Sequence, residues 1–316
     1  MEYNLDLIIP TYLSDQKLDL LLERIRKQTV QPQRILLLNT IVQGKEDVVD
    51  NYKELYDVEI YPIEKKDFDH GGTRDYGARL SSADYIMFMT QDAVPVDTHL
   101  IENLMKGFED EAVSLCYARQ IAGKHGDILE QYTREFNYPD RNILKSKEDL
   151  TTMGIKAFFC SDVCAVYRKD VYDAQGGFVK KTIFAEDAIM GYHMLMAGYK
   201  IQYAKDAKVI HSHNYSYSQQ FQRNFDVGVA HNQYQEVFGT VQSVPEGLKL
   251  IKETSRKMMK EKKYFDLIDL FFASGFKFLG YKLGCCYNRL PKNLVLKFTS
   301  NRHYWRESDG DNNGNR

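Results

Sequence analysis

A chain of 316 residues is long enough for one large domain, or for a domain with an appendage. Its 43% apolar and 27% charged residues are ordinary for a globular protein, and a net charge of -2 excludes a generic nucleic-acid binder, which would be clearly basic. The five cysteines are odd in number and fit no zinc spacing, which points to reduced thiols rather than a disulfide framework.

The first half alternates short apolar runs with helical patterns. A strand over 5–9 stops at Pro10, and Leu18, Leu21, Leu22 and Ile25 then repeat at helical spacing. A buried strand over 35–38, a polar helix near 45–56 and a strand over 58–61 follow. Gly71 and Gly72 precede a helix over 73–80, and 85–89 is the next buried strand. Strands alternating with helices predict right-handed crossovers and a mostly parallel sheet. Ligands of such sheets sit beyond the carboxyl ends of the strands. Pro10-Thr11-Tyr12, Asn39-Thr40 and Thr90-Gln91-Asp92 all fall at such ends.

The middle of the chain is mixed. It predicts strands over 113–118 and 163–167, a turn at Gly176-Gly177-Phe178, a helix over 187–197 ending at Gly198, and strands over 201–203 and 208–210. From about residue 218 the pattern is helical, and between Glu246 and Arg306 there are 14 Lys/Arg against 5 Asp/Glu. Within 264–283, Phe271, Phe272, Phe276, Phe278 and Leu279 mix with Lys277 and Lys282. That composition suits an interfacial helix on an anionic surface. It suits equally a helix packed on its domain with its lysines in water. Residues 308–316 are rich in Gly, Asn and Asp and are expected to be disordered. The N-terminus enters its first strand without a basic leader, and no charge-free apolar run approaches the ~18 residues of a spanning helix. The expectation is a cytoplasmic protein, at the inner face of the cell membrane if the tail touches lipid.

Two acidic marks carry the chemistry. Asp92 lies just past a buried strand, where a carboxylate can hold a divalent cation. Glu186-Asp187 opens a helix, where a carboxylate can take a proton. Together they suggest metal-assisted group transfer, with His211-Ser212-His213 offering a further ligand. Taken singly, each has a plainer reading: Asp92 caps a helix, Thr73 caps the helix after a plain loop, and Glu186 and Asp187 favour a helix N-terminus. Their coincidence with strand ends favours the site.

These segments resemble the family 2 glycosyltransferases of GT-A fold. Ile8-Ile9-Pro10-Thr11-Tyr12 is similar to that family's first strand and nucleotide loop. Phe68-Asp69-His70-Gly71-Gly72-Thr73-Arg74-Asp75 and Thr90-Gln91-Asp92-Ala93-Val94-Pro95 resemble forms typical of bacterial rhamnosyltransferases. Gly176-Gly177-Phe178 with Ala185-Glu186-Asp187 resembles the acceptor-side motif, and Tyr281-Lys282-Leu283-Gly284 with Leu290-Pro291 the tail. The resemblance covers residues 5–215 well and the tail loosely. Two positions depart from it. The metal motif is usually Asp-x-Asp, but here Thr90 leaves Asp92 alone, and Asn39-Thr40 stands where many relatives have acidic residues that read the base.

The resemblance implies a Rossmann-like, mixed, mostly parallel sheet flanked by helices, with a helical C-terminal extension. It divides the chain into a catalytic domain over 1–217 (nucleotide-sugar half 1–112, acceptor half 113–217), a basic amphipathic region over 218–307 and a tail over 308–316. Pro10, Thr11, Tyr12, Asn39, His70, Gly71, Gly72, Arg74 and Gln91 would bind a nucleotide-diphospho-sugar donor, with the Arg74 fork on the diphosphate. Asp92 and His211 would hold Mg2+ or Mn2+. Asp187 would be the base, with Glu186 as its orienting neighbour, and Ser161 and Asp162 would meet the acceptor. A single base and direct displacement invert the anomeric centre, so dTDP-β-L-rhamnose would give an α-rhamnoside. The implied acceptor is a growing, lipid-linked bacterial surface polysaccharide, with peripheral membrane contact through the C-terminal helices and no nucleic acid. The missing acid at Thr90 also leaves open a non-catalytic nucleotide-sugar or carbohydrate binder on the same scaffold. A nucleotidyltransferase would need a basic, glycine-rich triphosphate loop near the first strand, and Pro10-Thr11-Tyr12-Leu13 is not one.

Overall fold

The computed structural model describes residues 3–42, 44, 48–124, 126–241 and 244–305. They form two compact units. The first comprises Met1–His125, Asn137–Lys180 and Glu186–Ser212, and the second Gly126–Phe136, Lys181–Ala185 and His213–Arg316. In chain order the elements of the first half are β1 (Leu5–Tyr12), α1 (Gln16–Ile25), β2 (Arg34–Ile41), α2 (Tyr52–Tyr56), β3 (Glu59–Glu64), α3 (His70–Leu80), β4 (Tyr85–Met89), β5 (Val94–Pro95), α4 (Leu100–Met105) and β6 (Val113–Ile121). Then come α5 (Ile128–Asn137), β7 (Ile143–Lys145), α6 (Leu150–Met153), β8 (Cys164–Arg168), α7 (Lys169–Ala174), α8 (Glu186–Met196) and β9 (Lys200–Ile210).

The first unit is built on one nine-stranded sheet in the order β3-β2-β1-β4-β8-β6-β9-β5, with β7 on β9. The pairings among β1 to β4 are parallel, as are those of β6 with β9, while β8, β5 and β7 run antiparallel to their neighbours. The expected GT-A-like mixed sheet with flanking helices is therefore the observed one. Alternation sends successive side chains to opposite faces. Leu5, Leu7, Ile9, Leu37, Met87 and Met89 join a core with Leu18, Leu21, Leu22 and Ile25 of α1. On the other face α3 comes close because position 77 is glycine: a Cβ there would lie 2.6 Å from Ile8 Cγ2 and 2.8 Å from Leu38 Cδ1.

Three expectations shift in detail. The polar helix near 45–56 is a short 3-10 turn, Val48–Asn51, followed by α2, and residues 45–47 lie outside the described residues. The two strands expected over 201–210 are one, β9. Its partner Ala118 faces Ala204 while Arg119 faces Lys208, so 205–207 form a bulge that interrupts the apolar signal. The expected disordered stretch 308–316 also lies outside the described residues.

The second unit is helical: it holds α5 with α9 (Tyr217–Gln233), α10 (Gln235–Phe238), α11 (Val244–Lys260), α12 (Tyr264–Cys285) and α13 (Lys292–Phe298). Tyr132 of α5, Met258 of α11 and Leu270 of α12 share a small core. α9 and α12 meet almost backbone to backbone. A Cβ on Gly280 would lie 2.3 Å from the Phe221 carbonyl oxygen, and one on Gly284 would lie 2.0 Å from that of Phe225. α12 leaves large apolar side chains in solvent, Phe265 at 89% and Phe271 at 74% exposed. Among the described residues no helix is long and apolar enough to cross a membrane.

Candidate active site

The carboxyl ends of β1, β2 and β4 gather Pro10, Thr11, Tyr12, Asn39 and Gln91 of the residues expected to bind the donor, while His70, Gly71, Gly72 and Arg74 lie in the first turns of α3. Pro10 and Thr11 close β1 and register against Leu38 and Asn39 of β2. The Thr11 hydroxyl donates to Asn39 Oδ1 at 2.9 Å in a buried contact. The Tyr12 N–H donates to Gln91 Oε1 at 2.7 Å, and Gln91 Nε2 returns a bond to the Tyr12 carbonyl at 3.1 Å. The loop after β4 is thus laced to the end of β1. The hydroxyls of Ser14, Thr40 and Thr90 are buried nearby in sequence with no hydrogen-bond partner among the described residues. Such groups are costly unless something else satisfies them.

Asp92 and His211 meet because β5 pairs antiparallel with the end of β9, Val94 opposite Ile210. His211 Nε2 lies 3.5 Å from Asp92 Oδ1, and Lys17 Nζ lies 3.8 Å from Asp92 Oδ2. The imidazole is oriented from behind. Gln120 Nε2 donates to Ser161 Oγ at 2.9 Å and to the Tyr138 hydroxyl at 2.5 Å, which turns Gln120 Oε1 toward His211 Nδ1 at 3.0 Å. A neutral imidazole with its proton on Nδ1 would direct the Nε2 lone pair toward the carboxylate. That donor set, one carboxylate and one imidazole, fits a divalent ion that takes oxygen and imidazole ligands. His213 belongs to the second unit, where its N–H donates to Glu130 Oε1 at 3.0 Å.

The carboxylate cluster is assembled by glycines. Asp69 caps α3, accepting from the Gly72 N–H at 2.6 Å. A Cβ on Gly71 would lie 2.1 Å from the Val179 carbonyl oxygen. Gly177, at φ +77, would place a Cβ 2.0 Å from Asp75 Oδ1. The first turns of α3 and the segment around Gly176-Gly177-Phe178 are therefore packed closely, Gly71 against Val179 and Gly177 against Asp75. Phe178 buries its ring among Phe88, Tyr167 and Tyr172, with centroids 5.1 to 5.7 Å away.

Within this frame Arg74, 6% exposed, donates from Nη1 to Glu186 Oε1 at 3.1 Å and to the His70 carbonyl at 3.0 Å. Its Nε faces Asp162 Oδ2 at 3.8 Å, and neither atom has a hydrogen-bond partner among the described residues. Asp162 Oδ1 accepts from the Tyr167 hydroxyl at 2.6 Å. The Asp162 N–H points at Asp187 Oδ2 at 3.4 Å, and Asp187 Oδ1 accepts from the Ala188 N–H at 2.7 Å. Burial and then the neighbouring Asp187 charge push the Asp162 carboxyl well above the usual range, against Arg74 and Tyr167. Burial and then the Glu186 charge raise Asp187 to about 7, against the Ala188 N–H and Arg74. Asp187 keeps part of its surface in solvent while Asp162 and Glu186 are buried.

The structure links the expected residues in series. Asp92 meets His211, His211 meets Gln120, and Gln120 donates to Ser161; the next residue, Asp162, meets Arg74 and Asp187. Two supporting residues have no sequence signal. Gln120 is one of three polar residues of β6, with Ser114 and Arg119, and nothing in the strand's pattern sets it apart. Lys145, 1% exposed in the three-residue β7, donates to the Tyr117 hydroxyl at 3.1 Å and to the carbonyls of Lys156, at 3.3 Å, and Phe159. It clamps the backbone that leads into Ser161 and Asp162. Burial lowers the Lys145 ammonium to about 7.

This sheet, with a carboxylate and an imidazole at one strand end and a carboxylate of raised proton affinity at a helix start, defines an enzyme of the GT-A glycosyltransferase class. The chain matches the model of glycosyl transferase family 2 over residues 6–176, and it belongs to that family. It is 36% identical to the O-antigen chain rhamnosyltransferase RfbN of Salmonella typhimurium and 35% identical to the O-antigen chain rhamnosyltransferase WbaN of Salmonella anatum, in each case over 95% of both chains. Among solved structures it resembles the mannosyltransferase PcManGT from Pyrobaculum calidifontis in complex with GDP-Man and Mn2+. The TM-score is 0.60 at 10% identity, covering 90% of this chain and 88% of that one. S. aureus TarS 1-349 in complex with UDP-GlcNAc matches at TM-score 0.53 and 11% identity over 92% of both chains. At these identities the two structures bear on the fold alone.

Proposed function

We propose that this glycosyltransferase moves L-rhamnose from dTDP-β-L-rhamnose to a hydroxyl of a growing, lipid-linked O-antigen-type polysaccharide, with inversion at the anomeric carbon. The two rhamnosyltransferase relatives support the sugar and the acceptor class. The observation that carries the chemistry is Asp187: a partly exposed carboxylate whose proton affinity sits near neutrality. A base of that strength accepts a hydroxyl proton as the new bond forms and remains ionised in much of the resting enzyme.

Asp187 takes the acceptor proton. Glu186, held by Arg74, raises the basicity of Asp187 through its charge and keeps the helix start in place. Ser161 and Asp162 flank the acceptor oxygen. Thr11, Asn39, Tyr12 and Gln91 bind the nucleotide, with Pro10 in β1 just before them, and His70, Gly71 and Gly72 allow the diphosphate to approach backbone. An Arg74 contact with the diphosphate requires partial exchange of its bond to Glu186. Asp92 and His211 would hold Mg2+ or Mn2+, which would supply positive charge against the departing diphosphate. Attack by the acceptor oxygen and departure of the diphosphate occur on opposite faces of one carbon, so the β-linked donor yields an α-rhamnoside. The exposed phenylalanines of α12 beside the exposed Lys282 support peripheral contact with the inner face of the cell membrane.

The test is a donor screen. The protein, Mn2+ or Mg2+ and a lipid-linked saccharide extract are incubated with each nucleotide sugar, and products are read by mass spectrometry and anomeric NMR. Transfer of a deoxyhexose in α linkage is expected. Transfer of another sugar alone, or retention of configuration, contradicts the reading.

A further inference from the structure

The second unit contains a cavity of about 530 Å3 walled by α5, α9 and α12, and the chemistry assigned so far does not use it. The volume is in the range of small-ligand sites. Its lining is rich in hydrogen-bonding groups of both signs. Asp127, Glu130 and Asp269 supply carboxylates, and Arg134, Arg223 and Lys277 supply cations. Asp269, Ala273 and Lys277 project from one face of α12 at intervals of four residues. The walls are stiff. Gly280 and Gly284 lock α12 onto α9, and the Arg223 guanidinium lies over the rings of Phe184 (5.3 Å) and Tyr215 (4.9 Å). Tyr217 donates its hydroxyl to Asp269 and stacks on Phe276 at 5.4 Å.

Lys277 is the unexplained member. It is half-buried and makes no ion pair or hydrogen bond among the described residues. Burial lowers its proton affinity, while Asp127 and Asp269 oppose that at longer range. A half-buried ammonium facing a cavity is satisfied by ligand oxygens. The charge balance then selects the ligand. A diphosphate or phosphate would meet the three cations but also Asp127, Glu130 and Asp269, and so gains little net attraction. A sugar hydroxyl both donates and accepts, which suits a wall of alternating carboxylates and cations with Gln220 among them.

We infer that this cavity is a subsite for a neutral saccharide, binding sugar units of the acceptor; the acceptor part of this inference rests on the proposed glycosyl transfer. The site recognises hydroxyl groups through Lys277, Gln220 and the carboxylates. It is formed entirely within the second unit, so its occupancy can be read without turnover.

The test is saturation-transfer NMR on the full chain with methyl α-L-rhamnopyranoside, methyl α-D-mannopyranoside and methyl β-D-galactopyranoside. Inorganic pyrophosphate and phosphatidylglycerol vesicles are run as separate arms. At least one glycoside should bind wild type. Lys277→Gln and the isosteric Asp269→Asn should each weaken it about tenfold, the loss of one charge-assisted hydrogen bond. Asp187→Asn should leave binding intact while abolishing turnover, which separates this subsite from the catalytic reading. Retained turnover in Asp187→Asn with glycoside binding still sensitive to Lys277→Gln would sink the catalytic reading and leave the subsite standing. No glycoside signal, a signal indifferent to both pocket substitutions in folded protein, or Lys277-dependent binding of pyrophosphate or vesicles alone would overturn the inference.

Discussion

The two units handle charge in opposite ways. In the first, one guanidinium, Arg74, serves three carboxylates, Asp162, Glu186 and Asp187, and two of them are driven toward the protonated form. In the second, three carboxylates and three cations line one cavity. On the readings proposed above, imbalance in a buried cluster would make a proton acceptor, while balance in a cavity would make a surface that recognises neutral polar ligands. The apolar groups differ in parallel. Phe88 and Phe178 are sealed under the carboxylates, whereas Phe265 and Phe271 of α12 stand in solvent.

The sharpest way to break this contrast is Asp187→Asn. Sugar transfer should fall by about 10^3 or more, the upper part of what a positioned base contributes. The same change should stabilise the fold above neutrality. The folded-state pKa of about 7 lies above the unfolded value, so the folded state holds the proton more tightly. The stabilisation from that proton is complete below the unfolded pKa and is lost as pH rises through 7. Thermal melts at pH 8 should therefore favour the variant, and melts at pH 4 should not. A variant less stable than wild type at pH 8 contradicts the imbalance.

Gly71→Ala should cost about 3 kcal/mol of stability, because the new methyl meets a backbone oxygen that cannot turn aside. Its loss of transfer should accompany a lower melting temperature. His211→Ala should lower transfer about 10- to 100-fold, the range for lost metal-site support. After chelation, Mn2+ should restore wild type at lower concentrations than it restores the variant. Equal metal dependence removes His211 from the site. The smallest effect concerns the second unit: Phe271→Ser with Phe278→Ser should weaken sedimentation with anionic vesicles about threefold, leaving transfer to a lipid-free acceptor unaltered. Unchanged sedimentation ends the membrane assignment.

Much of the first unit was legible because its strands are short apolar runs, with Pro10-Thr11-Tyr12, Asn39-Thr40 and Thr90-Gln91-Asp92 at or just past their carboxyl ends, and strand ends are where such sheets bind ligands. The Glu186-Asp187 pair was legible for a similar reason, since it opens a helix after a glycine turn. Other features depend on tertiary contact and leave no periodic trace. Nothing around Gln120 signals that it orients His211, and Lys145 lies in a strand too short to show a pattern. The contact between Gly71 and the 176–179 turn joins residues more than a hundred positions apart. In α12 the sequence offers two faces, and only packing on α9 decides that Asp269, Ala273 and Lys277 line a cavity while the phenylalanines face outward.

The central claim is that Asp187 deprotonates the acceptor, and the pH dependence of single-turnover sugar transfer addresses it most directly. Wild type should rise with unit slope through an apparent pKa near 7, and the residual rate of Asp187→Asn should be flat across the same range. A limb near 7 that survives unchanged in the variant would assign the proton to another group and contradict the account.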